Sequence, residues 1–273
     1  MPELPEVETV KAALLPLVEG RTIQHVRQMR SDLRWPLPER LADRLTGRRC
    51  GTAYRRAKYI LIPLDGHEVL LIHLGMSGAI RIYEHQPEFA KHDHISVQLD
   101  TGQWFVFSDP RRFGHVDLIS DSELETHKLL RHLGIEPLSN MLSGDWLADR
   151  LAGKAAPIKS ALMDQRIIAG LGNIYVCEAL FKAGISPRRK AGSIKAGRAE
   201  KLVRAIRDVL TLAIASGGTS LRDHVQPGGE IGYFVQQLSV YGRAELPCVS
   251  CRTPLKHITQ TGRSSFYCPN CQR

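Results

Sequence analysis

The chain has 273 residues, enough for two or three domains, and its 43% hydrophobic and 24% charged residues are ordinary for a soluble globular protein. No run of about 18 apolar residues occurs and the first ten residues lack the pattern of a secretory signal, so we expect a cytoplasmic protein with no membrane partner. Lys and Arg number 37 against 28 Asp and Glu, and the resulting net charge of +9 favours nucleic acid as partner over a basic protein without one.

The N-terminal segment predicts an amphipathic helix that ends near Gly20. Pro5 and the acids Glu6 and Glu8 suit a first helical turn, where proline is tolerated and negative charge is favoured. One face of this helix is apolar, with Val7, Val10, Leu14 and Leu17.

From residue 22 to about residue 118 the pattern changes to short β-like runs with turn residues between them. Asp65-Gly66 and Asp100-Thr-Gly102 are hairpin turn signals, and residues 31–45 predict a loop followed by a short helix. The clearest runs begin at Tyr59, Val69, Ala79, Ile95 and Trp104. This spacing predicts a β-sandwich or barrel.

After Leu118 the sequence favours helices, with a boundary in residues 133–143. Helices are predicted over residues 158–166, 173–183 and 193–215, with Gly184 as the C-cap of the second. Residues 216–232 form a Gly-rich loop that is too long for a simple connector and so is a candidate for function.

The turn between the first two of these helices suits an anion. Gly170 and Gly172 let the backbone approach a ligand, and the helix that follows offers free N–H donors to a phosphate. Asn173 also has a structural interpretation as the N-cap of a helix starting at Ile174, and both interpretations can hold at once.

Four of the six cysteines have the spacing of a zinc site. Cys248-x2-Cys251 and Cys268-x2-Cys271 each supply two thiolates from one tight turn, and four protein ligands leave no open position, so we expect one structural Zn2+. Cys50 and Cys177 stand alone in apolar surroundings, as buried inert thiols do.

The residues between the two cysteine pairs predict a β-hairpin with a basic tip. Thr261-Gly262-Arg263-Ser264 forms this tip, which suits contact with a phosphate backbone and equally suits a solvated turn. With so small a core, the module would depend on the metal for much of its folding energy.

Seven segments in register resemble the bacterial formamidopyrimidine-DNA glycosylases. They run from the N-terminus to the cysteines at the C-terminus and cover essentially the whole chain. The segments are Met1-Pro-Glu-Leu-Pro-Glu-Val-Glu-Thr9, Arg55-Arg-Ala-Lys-Tyr59, His73-Leu-Gly-Met-Ser-Gly78, Lys91-His-Asp-His94, Asp109-Pro-Arg-Arg-Phe-Gly114, Gly170-Leu-Gly-Asn-Ile-Tyr175 and the terminal zinc finger.

This resemblance implies an α+β fold. It consists of an N-terminal catalytic β-sandwich with flanking helices over residues 1–133, a helical helix–two-turn–helix DNA-binding domain over residues 134–240, and a β-hairpin zinc finger over residues 241–273. It also implies a monomer that acts on damaged double-stranded DNA in base excision repair. Oxidised purines such as 8-oxoguanine and formamidopyrimidines would be excised, and the strand would then be cleaved at the abasic site.

The resemblance assigns the chemistry to four residues. Pro2 would be the nucleophile once Met1 is removed, because only a terminal proline has an amine nitrogen, and Glu3 would donate a proton to the sugar ring oxygen. Lys58 would assist elimination of the 3′ phosphate and Arg263 that of the 5′ phosphate. Phosphate binding is the firmer role for Arg263, since arginine does not readily lose a proton.

The resemblance also implies a set of DNA contacts. A flipped base leaves a gap that must be filled, and a flexible apolar side chain, an aromatic ring and a guanidinium suit that task. The void-filling residues are Met76, Arg111 and Phe113, and the other contacts are His92, Arg112, Lys154 and Asn173. Residues 216–233 resemble the family's lesion-recognition loop.

Two competing interpretations remain at this point. The endonuclease VIII branch, which prefers oxidised pyrimidines, usually opens with Pro-Glu-Gly-Pro-Glu, whereas this chain has Leu4. A non-catalytic zinc-ribbon DNA-binding protein would explain the charge and the finger, but it would leave Pro2, Glu3 and Lys58 without a role.

Overall fold

The computed structural model describes residues 2–219 and 233–273. Two compact units emerge from the contacts within the chain. The first comprises Met1–Arg131 with Ser216–Val235, and the second comprises His132–Ala215 with Gln236–Arg273. Within the described ranges, no helix is long and apolar enough to cross a membrane.

The first unit opens with helix α1, Leu4–Val18, as the sequence predicts. Glu3 is its N-cap in an extended conformation, and a proline lies in its first turn. Val7, Val10 and Leu14, spaced three and four residues apart, are buried with at most 1% of their surface exposed. The chain turns away at Gly20, whose φ of 72° lies in the left-handed region.

Two four-stranded antiparallel sheets follow, and they form the predicted β-sandwich. Buried residues of both sheets, such as Phe107 from one and Ile72 from the other, belong to a single hydrophobic core. One sheet has the order β1-β6-β7-β5 and the other β2-β3-β4-β8. The strands are β1 Ile23–Gln28, β2 Tyr54–Arg56, β3 Tyr59–Leu64, β4 Glu68–His73, β5 Ala79–Tyr83, β6 Asp93–Leu99, β7 Trp104–Ser108 and β8 His115–Ser120, and helix α2 is Leu41–Leu45.

The sequence turns helical after Leu118, as predicted, but the first α-helix beyond it starts only at Gly144. Strand β8 continues to Ser120, a single 3-10 turn follows at Asp121–Glu123, and the next α-helix starts at Gly144. Tertiary contacts of the backbone explain the difference. A Cβ at Gly134 would collide with the Ile167 carbonyl oxygen, and the next residue forms a parallel bridge with Ile168.

The second unit contains four helices and a hairpin. Helix α6 packs against α3 and α5 through buried residues such as Leu202 and Ile206, which lie on the predicted face. The elements are α3 Gly144–Leu151, α4 Ile158–Leu162, α5 Asn173–Lys182, α6 Ala196–Ala215, β9 Lys256–Gln260 and β10 Arg263–Tyr267. The α+β class, the helix pair α4–α5 and the terminal hairpin are therefore confirmed.

Helix α4 is shorter than the predicted range of residues 158–166. It ends at Leu162, and the Asp164 carboxylate then accepts the backbone N–H of Arg166 at 3.0 Å. Such a side-chain-to-backbone bond competes with helical hydrogen bonding and stabilises a turn instead. The turn leads into α5, which ends as expected before Gly184, with its φ of 69°.

Candidate active site and metal centre

The N-terminal residues of the first unit are enclosed at the start of α1. Pro2 is buried, and Glu3 and Glu6 are 3% and 2% exposed. The Glu3 N–H donates to Glu6 Oε2 at 2.8 Å, which satisfies one of the backbone groups that a helix start leaves without a helical partner. Glu6 therefore fixes the backbone beside Pro2, while Met1 lies outside the described residues.

The other oxygen of Glu6 accepts a hydrogen bond from the start of the Gly-rich segment. The Thr219 N–H donates to Glu6 Oε1 at 2.7 Å, and Thr219 is 4% exposed. A Cβ on Gly218 would lie 3.0 Å from that same oxygen, and its φ is 79°, so glycine suits the close approach. Residues 220–232, most of the segment that resembles a lesion-recognition loop, lie outside the described residues.

Lys58 lies in the turn between β2 and β3, and Arg55 braces this turn. Ala57 has the strained φ of 52°, and its carbonyl oxygen accepts Arg55 Nη1 at 2.8 Å. Arg55 Nε also donates to Glu8 Oε2 on α1 at 2.7 Å. Burial opposes ionisation of Glu8, but hydrogen bonds from Lys11 and Arg55 outweigh it and lower the pKa of Glu8. The turn carrying Lys58 is thereby tied to the helix that begins beside Pro2 and Glu3.

The sequence analysis quoted His73 in a motif but gave it no role, and the structure places it near the charge of Lys58. It ends β4, and its Nδ1 accepts the Gly75 N–H at 3.1 Å, which leaves Nε2 to carry the proton of the neutral ring. Burial lowers the pKa of His73 to about 4, helped by the nearby charges of Lys58, His115 and Arg34. The position of His73 at a strand end, directly before a glycine-containing turn, was the feature of the sequence that could have drawn attention to it.

The predicted void-filling residues extend from two neighbouring turns. Met76 lies between β4 and β5 and is 37% exposed, and Phe113 lies between β7 and β8 and is 41% exposed. The Arg111 guanidinium lies over the Phe113 ring at 5.1 Å, and Arg112 has a positive φ of 56°. Exposed apolar side chains on turns are available to a ligand rather than to the core.

His92 lies beside the same turns. It is exposed, and its carbonyl oxygen accepts the Asp109 N–H at 3.0 Å and the Ser108 hydroxyl at 3.1 Å. The structure therefore brings the predicted void-filling residues and His92 to one edge of the first unit.

In the second unit, Asn173 is not the N-cap of α5. Gly172 has that position, and Asn173 is the first helical residue. Its amide nitrogen donates to the Ser264 carbonyl oxygen at 3.0 Å and to Tyr241 Oη at 3.3 Å, so the side chain holds the hairpin instead. The Gly170 N–H is also engaged within the turn, since it donates to Gln165 Oε1 at 2.7 Å.

Arg263 is exposed at the tip of the hairpin, where Thr261 and Gly262 turn the chain with φ of 48° and 73°. Lys159 of α4 holds the hairpin strand next to Arg263, an interaction that the sequence analysis missed. Lys159 is 1% exposed, and its Nζ donates to the Ser264 carbonyl oxygen and the Ser265 hydroxyl, both at 2.7 Å. A buried ammonium is tolerated only with such partners.

Lys154 completes the set of predicted DNA contacts, and Glu178 is a further residue of the second unit with a structural role. Lys154 is exposed after α3, and its carbonyl oxygen accepts the Gly192 N–H at 2.9 Å, which fixes the loop around it. Glu178, which the sequence analysis missed, accepts backbone N–H groups of Ser239, Val240 and Tyr241 at 2.8 to 2.9 Å. Its carboxylate therefore anchors the segment that leads into the zinc finger.

The four predicted cysteines form a metal centre. Their Sγ atoms all lie within 4.8 Å of one another, and the Cys251–Cys268 and Cys248–Cys271 pairs are 3.4 and 3.9 Å apart. Tetrahedral thiolates at about 2.3 Å from zinc would be roughly 3.8 Å apart, so the arrangement fits one structural Zn2+. Cys50 and Cys177 are 3% and 1% exposed, as expected, and burial raises the pKa of Cys50 to about 12.

Comparison with known proteins matches the whole length of the chain. The formamidopyrimidine-DNA glycosylase N-terminal domain matches residues 1–116, its H2TH domain matches residues 133–225, and a zinc finger found in FPG and IleRS matches residues 245–273. A formamidopyrimidine-DNA glycosylase of Ruegeria pomeroyi is 53% identical over 284 residues, which cover 100% of both chains.

Two solved structures give the same result. The MutM (Fpg) protein of Thermus thermophilus has a TM-score of 0.88 and 40% identity, with 99% of this chain and 98% of that one covered. Wild-type Lactococcus lactis Fpg (MutM), in a complex with DNA containing N7-benzyl-Fapy-dG, has a TM-score of 0.91 and 31% identity, with 100% of both chains covered. The chain therefore belongs to the formamidopyrimidine-DNA glycosylase family.

Proposed function

We propose that this protein is a bifunctional DNA glycosylase and abasic-site lyase that excises oxidised purines from duplex DNA. The observation that supports this most strongly is the full-length likeness to a glycosylase solved with DNA that carries a formamidopyrimidine lesion. The net charge of +9 suits a DNA partner, since phosphate contacts supply much of the affinity for duplex DNA. The protein acts as a monomer in this proposal.

The reaction begins at Pro2. Removal of Met1 converts its nitrogen from an amide to a secondary amine, and α-amino groups have pKa values of about 8, so part of the population is unprotonated near neutral pH. The amine forms a bond to C1′ of the sugar while the bond from C1′ to the damaged base breaks. Glu3, buried beside it, donates a proton to the ring oxygen, the ring opens and an iminium results.

Strand cleavage follows from the iminium. Because the iminium withdraws electrons, the C2′ hydrogen becomes acidic, and its loss expels the 3′ phosphate; a second elimination expels the 5′ phosphate. Lys58 assists the first of these steps. Arg263 binds the phosphate that leaves in the second step, a role that suits a guanidinium because it can donate two parallel hydrogen bonds.

The remaining residues of the site hold the DNA. Met76, Arg111 and Phe113 fill the space left by the flipped nucleotide, with Arg111 donating to the cytosine that has lost its partner. The other DNA contacts in this proposal are His92, Arg112, Lys154 and Asn173. For Asn173 the donor is the side-chain amide nitrogen, which has to leave the Ser264 carbonyl oxygen to reach a phosphate.

Borohydride trapping tests this proposal. Reduction in the presence of a duplex with 8-oxoguanine opposite cytosine should convert the iminium to a stable covalent protein–DNA adduct. Pro2→Gly should bind the same duplex and react more slowly, and protein that retains Met1 should bind and form no adduct. If wild-type protein bound the duplex but gave no adduct, the lyase mechanism would be wrong. Faster turnover of thymine-glycol DNA than of 8-oxoguanine DNA would favour the pyrimidine-specific branch instead.

A further inference from the structure

Asp109 is a fully buried carboxylate that the proposed chemistry does not use. It opens the turn that carries Arg111 and Phe113, and none of its surface is exposed. Its Oδ2 accepts the Gly114 N–H at 2.6 Å, at the far end of the same turn, and its Oδ1 accepts the Ser77 hydroxyl at 2.6 Å. The bond from Ser77 therefore joins this turn to the turn that carries Met76.

Ser77 completes a connection between the two turns. It is 7% exposed, and its Oγ donates to Asp109 while accepting the backbone N–H of Arg111 at 3.1 Å. One hydroxyl therefore bonds both to the first residue of the other turn and to the backbone of a void-filling residue. Buried hydrogen bonds to a charged acceptor are among the stronger ones, and removing a partner leaves the other group unsatisfied.

The two turns also touch through their backbones. A Cβ on Gly75 would collide with the Gly114 nitrogen and the Phe113 carbonyl carbon, and the φ of Gly75 is 64°. No side chain fits between the turns at this point. The Asp109 carbonyl oxygen lies 2.8 Å from Nε2 of His94, a 3% exposed residue of β6, which anchors the pair to the sheet.

We propose that Asp109 and Ser77 are positioning residues that join the two turns into one rigid wedge, so that Met76, Arg111 and Phe113 enter the DNA as a unit when a nucleotide is flipped. This inference rests on the proposed function. Ordering a backbone segment costs conformational entropy, and turns joined during folding do not incur that cost again during insertion. The carboxylate and hydroxyl thus act through the void-filling side chains and touch no DNA themselves.

The test compares two substrates, only one of which needs the wedge. Ser77→Ala should slow single-turnover excision of 8-oxoguanine from duplex DNA at least about tenfold. It should leave cleavage of a preformed abasic site in single-stranded DNA within about twofold of wild type, because no base has to be flipped and no gap filled. A 2-aminopurine next to the lesion, whose fluorescence rises on unstacking, should respond more slowly in the variant.

Ser96→Ala is the matched control. Ser96 is a fully buried serine of β6 in the same sandwich, and its Oγ has no hydrogen-bond partner within the described part of the chain. This variant should behave as wild type on both substrates. Asp109→Asn, which retains one carbonyl oxygen as acceptor, should reproduce the duplex-specific defect, and it replaces Ser77→Ala if that variant does not fold.

Three results would contradict the inference. Equal slowing on both substrates would mean that Asp109 and Ser77 only stabilise the fold, and unchanged rates on both would mean that the bonds do not matter. A defect in Ser96→Ala as large as that in Ser77→Ala would mean that any buried serine has this effect. Failure of the proposed function is a separate outcome, because wild-type protein would then excise nothing from the duplex.

Discussion

Thr219 donates its backbone N–H to the carboxylate of Glu6 at 2.7 Å, although the two residues are 213 positions apart in the chain. The other oxygen of that carboxylate accepts the N–H of Glu3. One buried side chain therefore fixes both the N-terminal segment that carries the proposed nucleophile and the start of the Gly-rich loop. Any movement of Glu6 would disturb both.

Glu6→Gln should impair stability and excision together. The amide keeps one acceptor oxygen but replaces the other with a donor, so one of the two N–H groups loses its partner, at a cost of about 1–3 kcal/mol. We expect a lower free energy of unfolding in urea and at least about tenfold slower excision of 8-oxoguanine. Glu39→Gln, at an exposed position, is the control. Wild-type values for Glu6→Gln would show that this carboxylate holds neither segment.

Cys268→Ser should lose zinc and DNA affinity together. With three thiolates the site loses much of its affinity for zinc, and the hairpin that carries Arg263 depends on the metal for its fold. Zinc content by atomic absorption and binding to a lesion duplex are the two measurements. Cys50→Ser removes a buried thiol remote in sequence from the finger and should keep its zinc. Tight DNA binding by zinc-free Cys268→Ser would contradict the role given to the finger.

Lys159→Met should weaken the support of the hairpin without affecting zinc binding. Methionine fills most of the volume but donates neither of the two hydrogen bonds to Ser264 and Ser265. The Ser265 hydroxyl oxygen then loses its lysine donor, and the Ser264 carbonyl oxygen keeps only the bond from Asn173. We expect a free energy of unfolding lower by about 2 kcal/mol or more and weaker binding to duplex DNA. Lys201→Met, on the exposed side of α6, is the control. A variant with full zinc and wild-type affinity would mean that the hairpin holds its position without Lys159.

His73 should make the protein less stable in mild acid. An unfolded histidine takes up a proton near its ordinary pKa of 6.5, whereas the pKa of folded His73 is about 4. Between these values the unfolded state binds more protons, so this contribution is complete above about pH 6.5 and is lost as the pH falls towards 4. Urea unfolding at about pH 7.5 and about pH 5 should therefore show a smaller loss for His73→Gln than for wild type. Equal losses would contradict the low pKa.

Sequence reasoning succeeded where the signal is local. The cysteine spacing gives the zinc ligands, and the periodicity of Val7, Val10 and Leu14 gives the buried face of α1. The missed features depend on long-range contacts. Ser77 and Asp109 are 32 residues apart, and no pattern around either one indicates the other.

Lys159 and Asn173 show the same limit in a different form. A lysine near the start of a helix is ordinarily taken for a solvated side chain, and an asparagine before a helix for a cap. Here the hairpin from a distant part of the chain lies over both, so one is buried and the other donates to Ser264. Tertiary packing decided the role of each residue after local preference had suggested another.

The two turns approach each other through backbone atoms at Gly75 and Gly114, whereas Met76, Arg111 and Phe113 carry the side chains that are proposed to contact DNA. The two hydrogen bonds described above that join the turns run from the Ser77 hydroxyl to Asp109 and from the Arg111 N–H to Ser77, so the only side chains in them are those of Asp109 and Ser77. The side chains of Met76, Arg111 and Phe113 take no part in those bonds. If these side chains contact DNA as proposed, substitutions at the three positions can change the preference for the opposite base while the hydrogen bonds between the turns stay intact.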